Sequence, residues 1–173
     1  MTRPEITERL ADLLEDHINP RRDTRIYLAK EVTFDYMSGH SVRVDYMKFE
    51  PINNSVSGIE KGDFYCYEIK SSLADYRSRN GHNFIGDYNY YVMPMEVYSA
   101  VKDEIPYDIG VYVPDAHLRQ VRYPGEILRP HEDWNFLTSV KKAHRHDRER
   151  PMCEMLLMMF RSCARDARKG EDR

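Results

Sequence analysis

The sequence predicts an α/β fold in which a central mixed sheet is flanked by helices, within a single domain covering residues 1–173. Three observations lead there. The first is size and composition: 173 residues with 41% hydrophobic and 12% aromatic side chains suffice for one substantial core, and 13 tyrosines suit sheet positions that bury a ring and leave a polar tip outside. The second is the run Asp63-Phe64-Tyr65-Cys66-Tyr67-Glu68-Ile69-Lys70, whose aromatic and apolar residues read as a buried central strand with charges at its far end. The third is the order of periodic segments, a helix, three strands, a helix and further strands, which ends on the apolar run Asp108 to Pro114, of parallel-sheet character.

Taken in order, Pro4 to His17 reads as a helix: proline suits its first turn, Glu5 and Glu8 favour its positive end, and Ile6, Leu10, Leu13 and Leu14 fall near one face. Arg25 to Phe34 reads as a strand with Ile26, Leu28, Val32 and Phe34 inside, Lys30 on that same face and Glu31 opposite. Ser41 to Phe49 follows as a second strand after the Ser38-Gly39 turn. The polar connection Pro51 to Gly62 lets that strand pair with the Glu68 strand as a hairpin. Ser71-Ser72 then caps a short helix, with Asp75 in a capping-box-like place. Tyr88 to Pro94 is the next strand, Glu96 to Glu104 a helix, and Leu118 to Arg122 an edge strand before a turn at Tyr123-Pro124-Gly125. Residues 134–173 read as a helical C-terminal extension, helical from about Trp134 through Lys142 and again from Pro151, with Met152, Met155, Leu156, Met159, Phe160 and Cys163 as its apolar stripe.

The chemistry is concentrated on two strands. Side chains two apart on a strand project to one face, so Glu68 and Lys70 share a side, and hairpin pairing brings Asp45 next to Glu68. Buried charges are tolerable when they pair, hold a metal or face a cleft. An aspartate beside Glu-x-Lys therefore reads as a metal site; an ion pair between Glu68 and Lys70 on an exposed strand face is the alternative reading of the same triplet. Net charge is −3, which argues against a chain-wide basic surface, but Lys141 to Arg150 holds five Lys/Arg against two acids. That segment, with Lys141, Lys142 and Arg145, reads as a phosphate contact or as a solvated face. Three cysteines without close spacing favour neither a disulfide framework nor a zinc site. No apolar run reaches the length of a membrane span and the first residues lack a secretory apolar segment, so the expected location is the cytoplasm.

These residues resemble the PD-(D/E)xK, or restriction-endonuclease-like, nuclease superfamily, and within it the MmcB-like DNA repair proteins. The resemblance runs in order through Glu31-Val32, Ser38-Gly39, Arg43-Val44-Asp45, Glu68 to Ser78, Asp87, Tyr90 to Pro94 and Gly110 to Asp115. It covers residues 31–115, the expected nuclease-like core. Val44 stands where the superfamily has proline, and the family's Lys-Trp pair has no counterpart between Arg79 and Asn83. The resemblance implies a restriction-endonuclease-like core and a metal-dependent hydrolase that cleaves DNA phosphodiester bonds in repair or in the processing of phage or mobile-element DNA. Asp45, Glu68 and Lys70 would be catalytic. Mg²⁺, with Mn²⁺ as substitute, would be held by Asp45, Glu68 and the Ile69 carbonyl, with Glu31 completing the set through water. Arg77 would join Lys141, Lys142 and Arg145 on phosphates. DNA is the expected partner, RNA and a homodimer are left open, and no membrane is involved. Two other classes compete: a non-catalytic nucleic-acid-binding module of the same fold, and a recruitment factor acting through the Met-rich helix.

Overall fold

The computed structural model describes residues 1–78, 80–115 and 134–171. Six strands form one mixed sheet in chain order: β1 (Tyr27–Phe34), β2 (Val42–Glu50), β3 (Asp63–Ile69), β4 (Tyr88–Val92), β5 (Gly110–Asp115) and β6 (Phe136–Lys141). β1, β2 and β3 pair as an antiparallel meander, β3, β4 and β5 run parallel, and β6 returns antiparallel to β5. Among the described residues the helices are α1 (Arg3–Ile18), α2 (Val56–Glu60), α3 (Leu73–Tyr76), α4 (Met95–Val101) and α5 (Met152–Glu171). Among the described residues no helix is long and apolar enough to cross a membrane.

Strand alternation divides the core between the two faces. On one, α1 lays Leu10, Leu13 and Leu14 on Tyr46, Tyr67, Ile69 and Val92. Tyrosines line this face, stacked across strands as Tyr65 on Tyr88 at 4.9 Å and Tyr67 on Tyr90 at 5.4 Å. On the other face, α5 places Met155 and Met159 against Val32, Phe34, Val44, Met47, Phe49, Phe64 and Cys66. Farther along that face, Val97 and Val101 of α4 and Tyr76 of α3 cover Tyr91, Met93, Val111 and Val113.

The alternation slips once on β1 and once on β2, at facing positions. Ala29 and Val32, three apart, both face α5, as do Val44 and Met47. The slip on β1 falls at Glu31, whose φ of 48° is left-handed. Its surroundings hold it there: Arg165 of α5 donates to the carbonyls of Glu31 at 3.1 Å and Lys30 at 3.0 Å, and the buried Ser162 hydroxyl donates to the Lys30 carbonyl as well. The single inward face expected for β1 is thus corrected. Lys30 turns to the α1 side, where it pairs with Glu15 and lies by the Tyr46 ring, whereas Val32 and Phe34 turn to α5.

The C-terminal extension is corrected too. Phe136 to Lys141 is a strand: Leu137, Thr138 and Val140 suit a pleated surface, and β5 offers an edge for them to pair with, which outweighs the helical reading. The helix that follows agrees with expectation, but its methionine stripe is spent on the sheet, with Met155 and Met159 buried and Met152 and Met158 packed beside them. Val56–Glu60 is a helical turn within what reads in sequence as an irregular connection; the Ser55 hydroxyl caps it. The expected edge strand at Leu118 to Arg122 and its turn lie outside the described residues.

Candidate active site

β3 is where the sheet changes from antiparallel to parallel, and its C-terminal end carries the site. Pairing of β2 with β3 runs from Glu50↔Asp63 to Tyr46↔Tyr67 and stops one step short of Asp45 and Glu68. At that step the Asp45 carboxylate replaces the ladder: its Oδ2 accepts the Ile69 amide at 2.9 Å. Beyond, the Lys70 amide donates to the Val92 carbonyl at 2.9 Å, so β3 stays anchored to β4 on its other side. Two carboxylates and an ammonium are thereby fixed by backbone pairing and not by flexible loops.

Glu68 is completely buried and Lys70 nearly so, at 0% and 2% exposure. This rules out the exposed ion pair. Lys70 directs its Nζ to the Asn80 carbonyl at 2.5 Å, and no Glu68–Lys70 ion pair forms within 4.0 Å among the described residues. Both oxygens of Glu68 are buried without a hydrogen-bond partner, although the Asn83 amide faces them. Burial, reinforced by the Asp45 charge, pushes the Glu68 carboxyl up to about 9 against the pull of Lys70. Burial also raises the Asp45 carboxyl, with the Ile69 amide working the other way, and lowers the Lys70 ammonium against the attraction of Asp75, Glu68 and Asp45.

The wall opposite these groups is the turn after α3. Gly81 has a φ of 68°, and a β-carbon there would lie 2.7 Å from Lys70 Nζ and 2.9 Å from Glu68 Oε2. Glycine is favoured twice, by backbone hand and because a side chain there would push aside the tips of Lys70 and Glu68. His82 pins the turn: one ring nitrogen meets the Tyr91 hydroxyl at 2.5 Å and the other lies 2.8 Å from the Tyr76 carbonyl. Asn83 ties the turn to β2 by donating to the Arg43 carbonyl at 2.7 Å. In the sequence Asn80-Gly81 signals only a break in the pattern; that it walls the lysine depends on how α3 folds back over β4.

The other expected site residues part company. Glu31 lines a surface cleft of about 630 Å³ together with Asp45, Arg43 and Lys30, but it is half exposed and faces Arg43 at 3.7 Å and Arg165 at 3.9 Å. The left-handed backbone at Glu31 accompanies that orientation, and no group of three His, Cys, Asp or Glu side chains within reach of one ion occurs among the described residues. Arg77 caps the C-terminus of α3, largely exposed, with Glu104 at 3.5 Å.

Lys141, Lys142 and Arg145 lie at the opposite end of the sheet, beside the starts of β3, β4 and β5. There Lys141 donates to the Ile105 and Pro106 carbonyls and Arg145 bonds Asp63 and Asp87, each at 3.1 Å. Asp87 is buried; it also accepts from Arg148 at 3.3 Å and from the Phe64 amide at 2.9 Å. The basic segment is in large part a strap over that end, with Lys141, Arg145 and Arg148 bonded to internal partners.

The donor set suits a small hard cation. Mg²⁺ is commonly held by one or two carboxylates, with water completing its shell. A buried carboxylate with no donor costs several kcal/mol unless a proton or a cation meets it. Asp45 and Glu68 supply the two carboxylates on facing strands, and the Ile69 carbonyl lies in the chain between Glu68 and Lys70.

No family model matches the chain, and no curated protein matches it. Among solved structures the fold is similar to the SPO1766 protein of unknown function from Silicibacter pomeroyi, with a TM-score of 0.56 and 17% identity over 94% of this chain and 87% of that one. The similarity is one of fold.

Proposed function

We propose that the protein is a metal-dependent nuclease that cleaves phosphodiester bonds of DNA, with Asp45 and Glu68 as the cation-holding carboxylates and Lys70 as the group acting on water. One observation carries the reading: a fully buried glutamate, neither of whose oxygens completes a hydrogen bond although the Asn83 amide faces them, lies beside an aspartate on the next strand and two residues from a buried lysine. A bound divalent cation would lower the pKa of water and neutralise charge developing on the phosphate. Asp45 would be held in place for it by the Ile69 amide. Glu68 would give up its proton as the cation entered.

Lys70 would serve proton transfer and charge stabilisation. Its burial favours the neutral amine, and the Asn80 carbonyl fixes the direction of Nζ. The methionines of α5 pack on the sheet and lend no support to a recruitment role, whereas Phe160 and Cys163 of the expected stripe are exposed.

The test is a panel of labelled duplex, single-stranded and branched DNAs and RNAs incubated with Mg²⁺ or Mn²⁺. Cleavage by the parent protein, abolished in Asp45→Asn, Glu68→Gln and Lys70→Ala that melt as folded proteins, is expected. Cleavage that persists in all three variants, or none by the parent on any substrate, would contradict the proposal.

A further inference from the structure

We infer that Arg3 and Arg43, one on each side of the Asp45–Glu68–Lys70 group, seat the phosphates of a nucleic-acid strand, so that the substrate lies across the C-terminal end of β3 and not along the basic segment Lys141 to Arg150. The inference rests on the nuclease reading and gives that site its binding surface.

The geometry on one side runs through Asp75. Arg3, at the start of α1, bonds Asp75 Oδ1 at 2.8 Å, and Asp75 Oδ2 accepts from the Ser71 amide at 3.1 Å, next in chain to Lys70. Its side chain is 62% exposed, and one carboxylate aims the guanidinium through a single nitrogen. On the other side Arg43 stands two residues before Asp45 on β2, with its own carbonyl held by Asn83 of the site wall. Its guanidinium is 60% exposed and meets Glu31 only at 3.7 Å, beyond hydrogen-bond range. Arg43 and Asp45 line the same cleft, along with Lys30 and Lys169.

Charge decides between the two ends of the sheet. A polyanion approaching Asp45, Glu68 and Asp75 needs cations at the mouth to offset them. Arg3 and Arg43 are near enough for their charges to act on the site: Arg43 stabilises the ionised forms of Asp45 and Glu68, and Arg3 disfavours the charged form of Lys70. At the far end, Arg145 and Arg148 converge on the buried Asp87; Arg150, where the segment has crossed to the end of β1, is shared between Asp35 and Glu154. Removing those cations for phosphate would leave buried or half-buried acids behind.

The experiment measures affinity in EDTA, without cleavage, for a fluorescent mixed-sequence DNA as single strand and as duplex and for the RNA of the same sequence, over a salt series. Arg3→Gln and Arg43→Gln should each weaken binding several-fold and lower the salt slope by about one. Arg3→Lys and Arg43→Lys should recover most of it, because the contact is one of charge, and Lys142→Ala should bind as the parent does. The DNA and RNA arms tell which backbone is preferred. If the parent binds and cleaves but both glutamine variants bind like it, or the loss falls on Lys142→Ala, the inference is overturned and the nuclease reading stands. Arginine-dependent binding with no cleavage in any metal supports the surface and removes the chemistry. A parent that binds no nucleic acid at low salt overturns both.

Discussion

Glu68 is held where an ionised carboxylate is most costly, and this makes its proton a reporter of the site. Because its folded pKa of about 9 lies above the ordinary 4.5, the folded chain holds the proton more tightly than the unfolded chain does. The resulting stabilisation is complete below pH 4.5 and is lost as pH rises through about 9. In chelator, then, the denaturant midpoint should fall as pH rises across that window, and Glu68→Gln should flatten the fall. Equal slopes in the two proteins would mean that Glu68 is solvated or paired. Gly81→Ala tests the wall. Left-handed backbone costs a non-glycine residue roughly 1–2 kcal/mol, and the new methyl would displace Lys70 Nζ. Its cleavage rate should therefore drop by more than its modest loss of stability explains; a rate equal to the parent's would show that Nζ need not sit where it does. These residues differ in how legible they were: Asp45, Glu68 and Lys70 declare themselves by strand alternation, whereas Gly81, His82 and Asn83 reach the site only through tertiary folding.

At the scale of elements, strand spacing explains both what the sequence reveals and what it hides. The hairpin of β2 and β3 and the capped start of α3 follow from local patterns, with the Ser72 hydroxyl accepting the Asp75 amide as expected. β6 does not, because Phe136 to Lys141 is a short apolar run of a kind that helix and strand share, and only the exposed edge of β5 settles it. The slip at Glu31 is hidden for the same reason: a left-handed glutamate has no sequence mark, and Ser162 and Arg165, which hold it, come from the far end of the chain. Asp87, just before β4, has the sequence mark of no more than a turn or cap residue. Buried and joined to Arg145, Arg148 and the Phe64 amide, it fastens the basic strap to the sheet. Asp87→Ala leaves the Phe64 amide without its acceptor and takes one acceptor from each arginine, which keep Asp63 and the Gly62 carbonyl, so the loss should be about 2 kcal/mol by urea unfolding. A loss below about 0.5 kcal/mol, as for an ordinary surface site, would show that the strap is not fastened there.

For the whole molecule, the account assigns the two ends of one sheet to two tasks. The end at the starts of β3 and β4 is covered by the ion-paired strap, and the end at the terminus of β3 carries a cleft lined by Asp45 and Arg43, with Glu68 and Lys70 buried beside it. The mixed sheet makes this division, since β3 is paired antiparallel on one side and parallel on the other, and Asp45 can reach the Ile69 amide only because the β2 ladder ends there. The central claim is that Asp45 and Glu68 jointly hold one divalent cation. Calorimetric titration of the parent protein with Mn²⁺ at pH 8 tests it most directly. One ion per chain is expected, accompanied by proton release as Glu68 ionises, and no binding in Asp45→Asn or Glu68→Gln. Absence of Mn²⁺ binding by the parent, or unaltered binding by Glu68→Gln, would contradict it.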